Sequence, residues 1–126
     1  MDAQQVLKKL SLRIDDLLRI AEHQDRIPWV AHKQGVDIFR LYGDGISGPT
    51  AALLRYCKGG EVPAHEHMGY EHILMLAGSQ EDDQGSYNSG TLMINPPGTK
   101  HTVRSAAGCI VLAIYEKPVR FLRASE

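Results

Sequence analysis

A histidine-bearing stretch at residues 59–78, which begins and ends with glycine, constrains this chain more than any other feature. His65 and His67 are two positions apart, and residues i and i+2 of an extended strand point to the same face, so both imidazoles converge. After a short reversal, Glu71 opens an apolar run and can turn its carboxylate toward the two rings. A pair of histidines alone at this spacing would be better interpreted as a surface turn with polar flanks.

A second stretch later in the chain changes that interpretation. The residues Pro96-Pro97-Gly98-Thr99-Lys100-His101 bring a further imidazole after a proline- and glycine-rich turn. Neutral imidazoles together with a carboxylate suit a divalent transition metal such as Zn, Fe, Ni or Mn. The two stretches therefore indicate one metal site on a small β-barrel, with the identity of the metal left open.

From Trp29 onward, short apolar runs alternate with glycine-containing turns, which is typical of an all-β fold. We predict strands at residues 29–33, 36–42, 50–57, 61–67, 71–77, 90–94, 101–105 and 109–115. Turns are predicted between them, including the whole of residues 78–89. The acidic segment 81–85 lacks the alternation and the terminal glutamate of an EF-hand, so it is interpreted as a solvated hairpin turn.

Residues 3–22 have helical periodicity, with charged side chains largely off an apolar stripe. The stripe consists of Val6, Leu7, Leu10, Ile14, Leu17, Leu18 and Ala21. Asp2 can cap the start, and Ile27-Pro28 ends the pattern. We predict an amphipathic α-helix that packs on the barrel or on a second subunit, or that docks to another protein. The chain divides into this helix with its linker, residues 1–27, and a barrel, residues 28–126.

The length and charge of the chain limit the number of domains it can form and the partners it can attract. A chain of 126 residues fits one domain, and 14 basic against 15 acidic residues leave no net field to attract nucleic acid or an anionic membrane. No apolar run approaches a bilayer span or the core of a signal peptide, so we expect a cytoplasmic protein. Cys57 and Cys109 lie in apolar, strand-like segments and are expected to be buried, reduced thiols.

The spacing of both stretches resembles the two motifs of the cupin superfamily. The first motif agrees at every fixed position, in the form Gly59-x5-His65-x-His67-x3-Glu71-x6-Gly78. The second agrees except that Ser105 replaces its closing asparagine, in the form Gly90-x5-Pro96-x-Gly98-x2-His101. Residues 29–115 resemble in particular the cupin domain of ChrR-type anti-sigma factors and its stand-alone relatives, at Trp29, Gly35-Val36, Arg55, Pro63-Ala64-His65, Gly69-Tyr70-Glu71, Asp82 with Gly85, and Gly108-Cys109.

This resemblance implies an all-β, double-stranded β-helix, the cupin or jelly-roll barrel, here with an N-terminal amphipathic α-helix. It also implies a metal held by four side chains, which are His65, His67, Glu71 and His101.

Strand parity adds the walls of a substrate-binding chamber. Ile73, Met75 and Ala77 share the parity of Glu71, and Val103 shares that of His101. These uncharged side chains either line a small apolar chamber at the metal or simply fill the barrel. His72 should point to the opposite face. An unpaired buried charge is costly, so Arg55 should point outward, pair with an acid or bind an anionic substrate, and the first two are favoured.

The resemblance leaves two main functions open. Stand-alone relatives are similar to dioxygenases that act on small diketone or enol compounds, although the diketone-cleaving type uses three histidines and Glu71 departs from that pattern. The prediction is a divalent-metal-binding cupin, a possible metal-dependent dioxygenase for a small oxygen-chelating compound. The alternative is a non-catalytic sensor or regulatory cupin. Anti-sigma activity itself is not implied, because the His-x3-Cys-x2-Cys zinc element of the sigma-binding domain has no counterpart before the barrel.

A third possibility, a sugar isomerase or epimerase of related barrel shape, is disfavoured by the full set of metal-binding side chains. We expect a homodimer, because the strand edges of an open-ended barrel must be covered. The expected partners are therefore a second copy of the chain and a small molecule at the metal, with no nucleic acid and no membrane.

Overall fold

The structure, a computed structural model, describes residues 11–125. Two short 3-10 helices, Leu17–Glu22 and Gln24–Arg26, precede the strands. The strands of this part of the chain are β1 (Val30–Lys33), β2 (Val36–Tyr42), β3 (Thr50–Tyr56), β4 (Gly60–Glu66), β5 (Glu71–Asp82), β6 (Gly85–Asn88), β7 (Leu92–Asn95), β8 (Lys100–Ser105), β9 (Cys109–Tyr115) and β10 (Arg120–Phe121). Apart from the two short 3-10 helices, the regular secondary structure of the described residues is therefore β-strand, as expected.

All strand pairs are antiparallel, and the strands follow the order β1-β2-β3-β9-β5-β8-β4-β10. The long strand β5 links the two halves of the curled sheet. Its first half pairs with β7 and β9, and its second half pairs with β6 and β8. The sheet therefore curls around a shared interior, and β5 connects the two faces that enclose it.

The eight predicted strands are confirmed to within two residues at their starts, but the region after Ala77 was predicted wrongly. Residues 78–89, expected to form a turn, contain the second half of β5 and all of β6, paired from Ser79↔Asn88 to Asp82↔Gly85. The hairpin turn itself is only Asp83-Gln84. This hairpin is built mainly of polar residues, so it lacks the apolar alternation by which a half-buried strand is recognised.

The predicted N-terminal α-helix is wrong wherever the structure describes it. Residues 11–14 have no helical structure, Leu17–Glu22 is a 3-10 helix, and residues 3–10 lie outside the described part. Asp16 adopts a left-handed conformation, with φ of 55°, which an α-helix does not tolerate. The predicted division of the chain after residue 27 stays a prediction.

The apolar residues of this segment follow a 3-10 repeat instead of an α-helical one. Leu17 and Ile20 are three apart within the 3-10 helix, which matches three residues per turn, and both pack in one cluster with Ile14, which precedes the helix. Ile20 is fully buried, whereas Leu18, part of the predicted stripe, is 78% exposed. The segment thus packs on the barrel through Ile14 and Leu17 of the predicted stripe together with Ile20, whereas Leu18 of that stripe is exposed.

Two apolar clusters lie on opposite sides of the sheet. The interior cluster is formed by Val36, Tyr56, Ile73, Met75, Val103, Cys109, Val111 and Ala113. The outer cluster, which includes the 3-10 segment, is formed by Ile20, Ile27, Leu53, Leu76 and Ile110. Within residues 11–125, no helix is long and apolar enough to cross a membrane.

Two further expectations concern single side chains at the sheet surface. Arg55 pairs with Asp37 at 2.9 Å and lies over the Trp29 ring, so the expected acidic partner is confirmed. Cys109 is buried as predicted, but Cys57 is exposed, because it follows the last residue of β3 at the start of a turn. Both thiols are free.

Candidate metal centre

Antiparallel pairing of β4 with β8 brings three histidines together. His65 lies opposite His101 in this pairing, and His67 follows immediately after β4. The ring centroids of the three imidazoles are 4.6 to 5.2 Å apart. One nitrogen from each ring lies within 4.8 Å of the other two. His65 and His67 are buried, and His101 is partly buried. Three convergent imidazoles of this kind are a common arrangement for a transition metal.

Each imidazole is oriented through its Nδ1 atom. His65 Nδ1 lies 2.8 Å from the Pro63 carbonyl, and His67 Nδ1 lies 2.8 Å from Thr99 Oγ1 and 3.1 Å from the Thr99 carbonyl. His101 Nδ1 lies 3.1 Å from Asp82 Oδ2. Carbonyl and carboxylate oxygens only accept hydrogen bonds, so Nδ1 carries the proton in each ring. In this tautomer an imidazole presents the lone pair of its Nε2 atom.

Two of these lone pairs have no hydrogen-bond partner. Among the described residues, the buried Nε2 atoms of His67 and His101 are unsatisfied. His67 Nε2 lies 3.0 Å from Glu71 Oε1, but the two atoms are not aligned as a hydrogen bond. A buried polar atom without a partner is costly, and a lone pair facing a carboxylate at this distance repels it. A cation bound by all three side chains would remove both penalties, so the residues fit a divalent metal.

Glu71 is held beside the histidines by the strand next to it. Asn95 lies directly opposite Glu71 in the pairing of β5 with β7, and its side-chain amide donates a hydrogen bond to Glu71 Oε1 at 3.1 Å. Burial alone would raise the pKa of Glu71, but the charge of the His67 ring in its protonated form and the Asn95 amide outweigh burial and hold this pKa below its usual range, so a cation at this place favours the ionised carboxylate. Glu71 is therefore an ionised carboxylate at neutral pH.

The pKa of His65 is also shifted in the direction that favours metal binding. Burial lowers the pKa of His65, and repulsion from the other two imidazoles adds to this, against the hydrogen bond to Pro63. His65 is thus neutral at pH 7. Neutral imidazoles and an ionised carboxylate are the forms that bind a divalent cation.

Residues 18–119 match the family model described as the ChrR cupin-like domain. The chain belongs to this family. The anti-sigma-E factor ChrR of Cereibacter sphaeroides is 35% identical over 93 residues, a match that covers 66% of this chain and 44% of that protein. The chain therefore spans less than half the length of this curated relative.

Solved structures share the fold of this ChrR-like cupin. A chain from the crystal structure of Rhodobacter sphaeroides SigE in complex with the anti-sigma ChrR has a TM-score of 0.68 and 24% identity, over 92% of this chain and 68% of that one. An acetylacetone dioxygenase from Acinetobacter johnsonii has a TM-score of 0.73 and 13% identity, over 91% of this chain and 78% of that one. At these identities the comparison shows the cupin-like fold alone.

The candidate metal centre of this cupin opens into an interior cavity of about 140 Å³, so the side chains do not fill the barrel completely. His65, Glu71 and His101 line the cavity, as do Ile73 and Val103, which were predicted as its walls.

Two of the predicted wall residues do not line the cavity. Met75 is buried within the interior cluster and does not reach it. Ala77 lies on the opposite face, because the register between β5 and β9 shifts between Met75 and Ala77 and reverses the alternation.

The prediction of uncharged walls is also wrong. The cavity is also lined by His32, Arg40, Gln80 and Tyr56. Gln80 is only 4% exposed. Within residues 11–125, neither its side-chain amide nor the Tyr56 hydroxyl group has a hydrogen-bond partner. Burial raises the pKa of Tyr56 far above its usual range, so this hydroxyl stays a hydrogen-bond donor. The cavity therefore has polar positions that an apolar-wall prediction does not foresee.

Two residues that support the site were assigned no role from the sequence. Asp82 belongs to the segment predicted as a turn, although it was among the residues that carry the family resemblance. Asn95 lies one residue beyond the predicted end of its strand. Extending that strand by one residue and pairing it with Glu71 would have indicated the contact, since directly opposed residues of adjacent strands interact. His72, by contrast, is exposed on the opposite face as predicted.

Proposed function

We propose that this cupin binds one divalent transition metal through His65, His67, Glu71 and His101, and that it binds a small oxygen-donor molecule in the adjoining cavity. The observation that carries the proposal is the pair of buried Nε2 atoms without partners, on rings whose Nδ1 atoms are all fixed by protein acceptors. Zn, Fe, Ni and Mn all suit this set of ligands.

We further propose a metal-dependent enzyme of the dioxygenase type, acting on a small diketone, enol or related oxygen-chelating compound. A divalent metal at this position would act as a Lewis acid and, if redox-active, could take part in reactions with dioxygen. The residues of the chain would bind and orient the substrate: Ile73 and Val103 exclude water from one side, and the Tyr56 hydroxyl and the Gln80 amide offer hydrogen bonds. The ionised state of Glu71 favours a role as a ligand over that of a proton donor.

A second candidate is a non-catalytic sensor or regulatory cupin. The observation in its favour is the family membership together with 35% identity to an anti-sigma-E factor. In this case the same residues would bind a metal or a small molecule, and binding would change the stability or the surface of the barrel. A tetrahedral zinc closed by four protein ligands would fit this role, because such a site has no position for a substrate.

Metal identity and dioxygen uptake distinguish the two candidates. The untagged protein is purified, its metal is identified by mass spectrometry, and dioxygen uptake is followed with pentane-2,4-dione, 2-oxo acids and simple carboxylates. The enzyme proposal predicts Fe, Mn or Ni and uptake that depends on the compound. His101→Ala should abolish this uptake, while His72→Ala, which changes an exposed neighbouring histidine, should retain it. Stoichiometric zinc with no uptake in any sample would contradict the enzyme proposal and favour the sensor.

A further inference from the structure

Arg40 occupies an inward-facing position near the end of β2. Val36 and Ile38, which precede it at intervals of two, are both buried, and Ile38 lines the cavity together with Arg40. The residue opposite Arg40 in β3 is Ala52, which is also buried and also lines the cavity. By strand alternation this position belongs to the barrel interior, where an apolar side chain would be expected.

Arg40 has no acidic partner within residues 11–125. Arg55 in the neighbouring strand β3 differs in this respect, because it pairs with Asp37. Asp44, four residues after Arg40, uses its carboxylate for the backbone N–H groups of Ile46 and Ser47, at 2.8 and 2.9 Å. The charge of Arg40 is therefore available to a bound molecule.

The guanidinium group of Arg40 is seated against the loop that follows β2. A Cβ atom at Gly45 would lie 2.9 Å from both Nε and Nη2 of Arg40, so only glycine leaves room for the guanidinium in this position. Gly45 also adopts a left-handed φ of 73°, which disfavours other residues. The guanidinium thus lies against this loop at the edge of the cavity.

The surroundings of Arg40 form the open end of the cavity. Arg40, His32 and Phe121 are exposed lining residues, whereas Tyr56 and Gln80 at other positions of the lining are buried. Partial desolvation, followed by the charges of Arg40 and Lys33, lowers the pKa of His32. His32 is therefore a neutral neighbour that can donate a hydrogen bond. Arg40 is a cation that lines the opening, and a second cation, Lys33, lies over the Phe121 ring at 4.2 Å.

From this arrangement we propose that Arg40 binds a carboxylate of the ligand, whose other end reaches the candidate metal centre. The inference deepens and rests on the proposed function, and it assigns the ligand to the small oxo or dioxo acids. The planar guanidinium matches a carboxylate with two parallel hydrogen bonds, which are stronger than neutral ones. A cavity of about 150 Å³ accommodates a molecule such as benzene, so about six non-hydrogen atoms fit inside and the carboxylate lies at the opening.

Matched acid and amide probes test this inference. The probes are 3,5-dioxohexanoate, 4,6-dioxoheptanoate and 5,7-dioxooctanoate, each paired with its primary amide, so that the chelating diketone is constant and only the charge changes. The three chain lengths allow for the span between Arg40 and the metal. Dissociation constants are measured by calorimetry on protein loaded with Co²⁺, whose absorption bands report binding at the metal.

We expect at least one acid to bind about tenfold or more tightly than its amide, a difference of about 1.4 kcal/mol. Arg40→Gln should remove this preference while leaving amide binding unchanged. Arg40→Lys, which keeps the charge but not the planar fork, should retain a reduced preference and covers the case in which Arg40→Gln folds poorly. Arg26→Gln, an exposed arginine of the second 3-10 helix, is the control and should behave as wild type.

The possible failures are distinguishable. Equal affinity for acid and amide at all three lengths would overturn the inference and leave the proposed function standing. A preference that persists in Arg40→Gln would overturn the assignment to Arg40. Absence of binding by every probe would overturn the proposed function and this inference together.

Discussion

At the scale of single residues, each imidazole of the candidate metal centre is held by a different kind of acceptor. A backbone carbonyl holds His65, a threonine holds His67, and the carboxylate of Asp82 holds His101. Asp82 in turn accepts a hydrogen bond from the Tyr87 hydroxyl at 3.0 Å. A carboxylate is the strongest of these acceptors for orienting a metal-binding imidazole and raising its basicity.

Asp82→Ala is therefore expected to weaken metal affinity by about tenfold or more. The stoichiometry should stay the same, because the residues proposed as ligands are unchanged. Competition with a chelator of known affinity measures the effect. Asp83→Ala is the control, since Asp83 is exposed at the adjacent turn. Equal affinity in the Asp82 and Asp83 variants would show that the contact with His101 has no influence on the metal.

The two cysteines are expected to differ sharply in reactivity. Burial raises the pKa of the Cys109 thiol to about 11, so almost none of it is thiolate at pH 8, and the side chain is inaccessible. Cys57 is exposed. Iodoacetamide at pH 8 should thus add one group to the native protein, at Cys57, and two groups to the denatured protein.

Mass spectrometry of the labelled protein and of Cys57→Ser checks this prediction. The native variant should take up no label. Rapid labelling of Cys109 in the native protein would contradict the packing described for the interior cluster.

Sequence spacing was sufficient to predict which side chains meet at the site but not which residues support them. His65 and His67 converge because they are two apart in an extended segment, and the pairing of β4 with β8 places His101 opposite His65, although the register shifts between Val62 and His65. The sequence did not predict that the site or its cavity includes Asp82, Gln80 and Arg40, because their positions depend on how β5 and β2 curl around the interior. A polar residue on a strand gives no sign from the sequence of whether it faces solvent or an interior cavity.

At the scale of elements, local backbone geometry determines which face of the sheet a side chain occupies and which type of helix forms, and sequence periodicity alone does not predict either. The register shift in β5 places Leu76 and Ala77 in the outer cluster, although Met75 faces the interior. A bulge of this kind has no reliable apolar pattern in the sequence. The prediction that a residue faces the interior was therefore right for Ile73, before the bulge, and wrong for Ala77, after it. The prediction of an α-helix at residues 17–22 was wrong for a related reason. Over two turns, an apolar repeat of three residues differs little from one of 3.6 residues.

Two substitutions in the 3-10 segment test its packing. Ile20→Ala should lower the free energy of unfolding by about 3 kcal/mol, because it removes a fully buried side chain from the outer cluster. Leu18→Ala should change it by less than about 0.5 kcal/mol, since Leu18 is 78% exposed. Denaturant unfolding of both variants measures the difference. Equal losses would favour the α-helical stripe, in which Leu18 is a packing residue.

At the scale of the whole molecule, the outer face of β7, β5 and β9 carries an apolar row. Ile94, His72 and Ile114 lie side by side in these strands, and both isoleucines are exposed. Among the described strands, β7 pairs only with β5, so its other edge has no partner. An exposed apolar edge strand is a surface that proteins usually cover.

We therefore predict a homodimer that covers this row. Light scattering at physiological salt should give twice the mass of one chain. Ile94→Asp should shift the protein to a monomer, because it places a charge in the apolar contact. Ile46→Asp changes an even more exposed isoleucine in the loop after β2 and should leave the dimer intact. A monomeric wild-type protein across micromolar concentrations would contradict the prediction.

Metal binding should depend on pH in a defined direction. Protons compete with the metal for the imidazoles, so affinity should fall as the pH drops below about 6.5. Because the pKa of His65 is lowered, its own share of the loss should begin at a lower pH than for an ordinary histidine. The pKa of Glu71 is also lowered, so its carboxylate stays ionised between pH 7.5 and about 5.5 and contributes no loss there.

Metal titration of the wild type beside His101→Ala and His72→Ala tests the central proposal most directly. The wild type and His72→Ala should bind one divalent ion per chain with the same affinity at pH 7.5 and more weakly at pH 5.5. His101→Ala should bind at least about a hundredfold more weakly, because the set then loses a ligand and the Asp82 carboxylate loses its imidazole. Full occupancy and unchanged affinity in His101→Ala would contradict the assignment of this site.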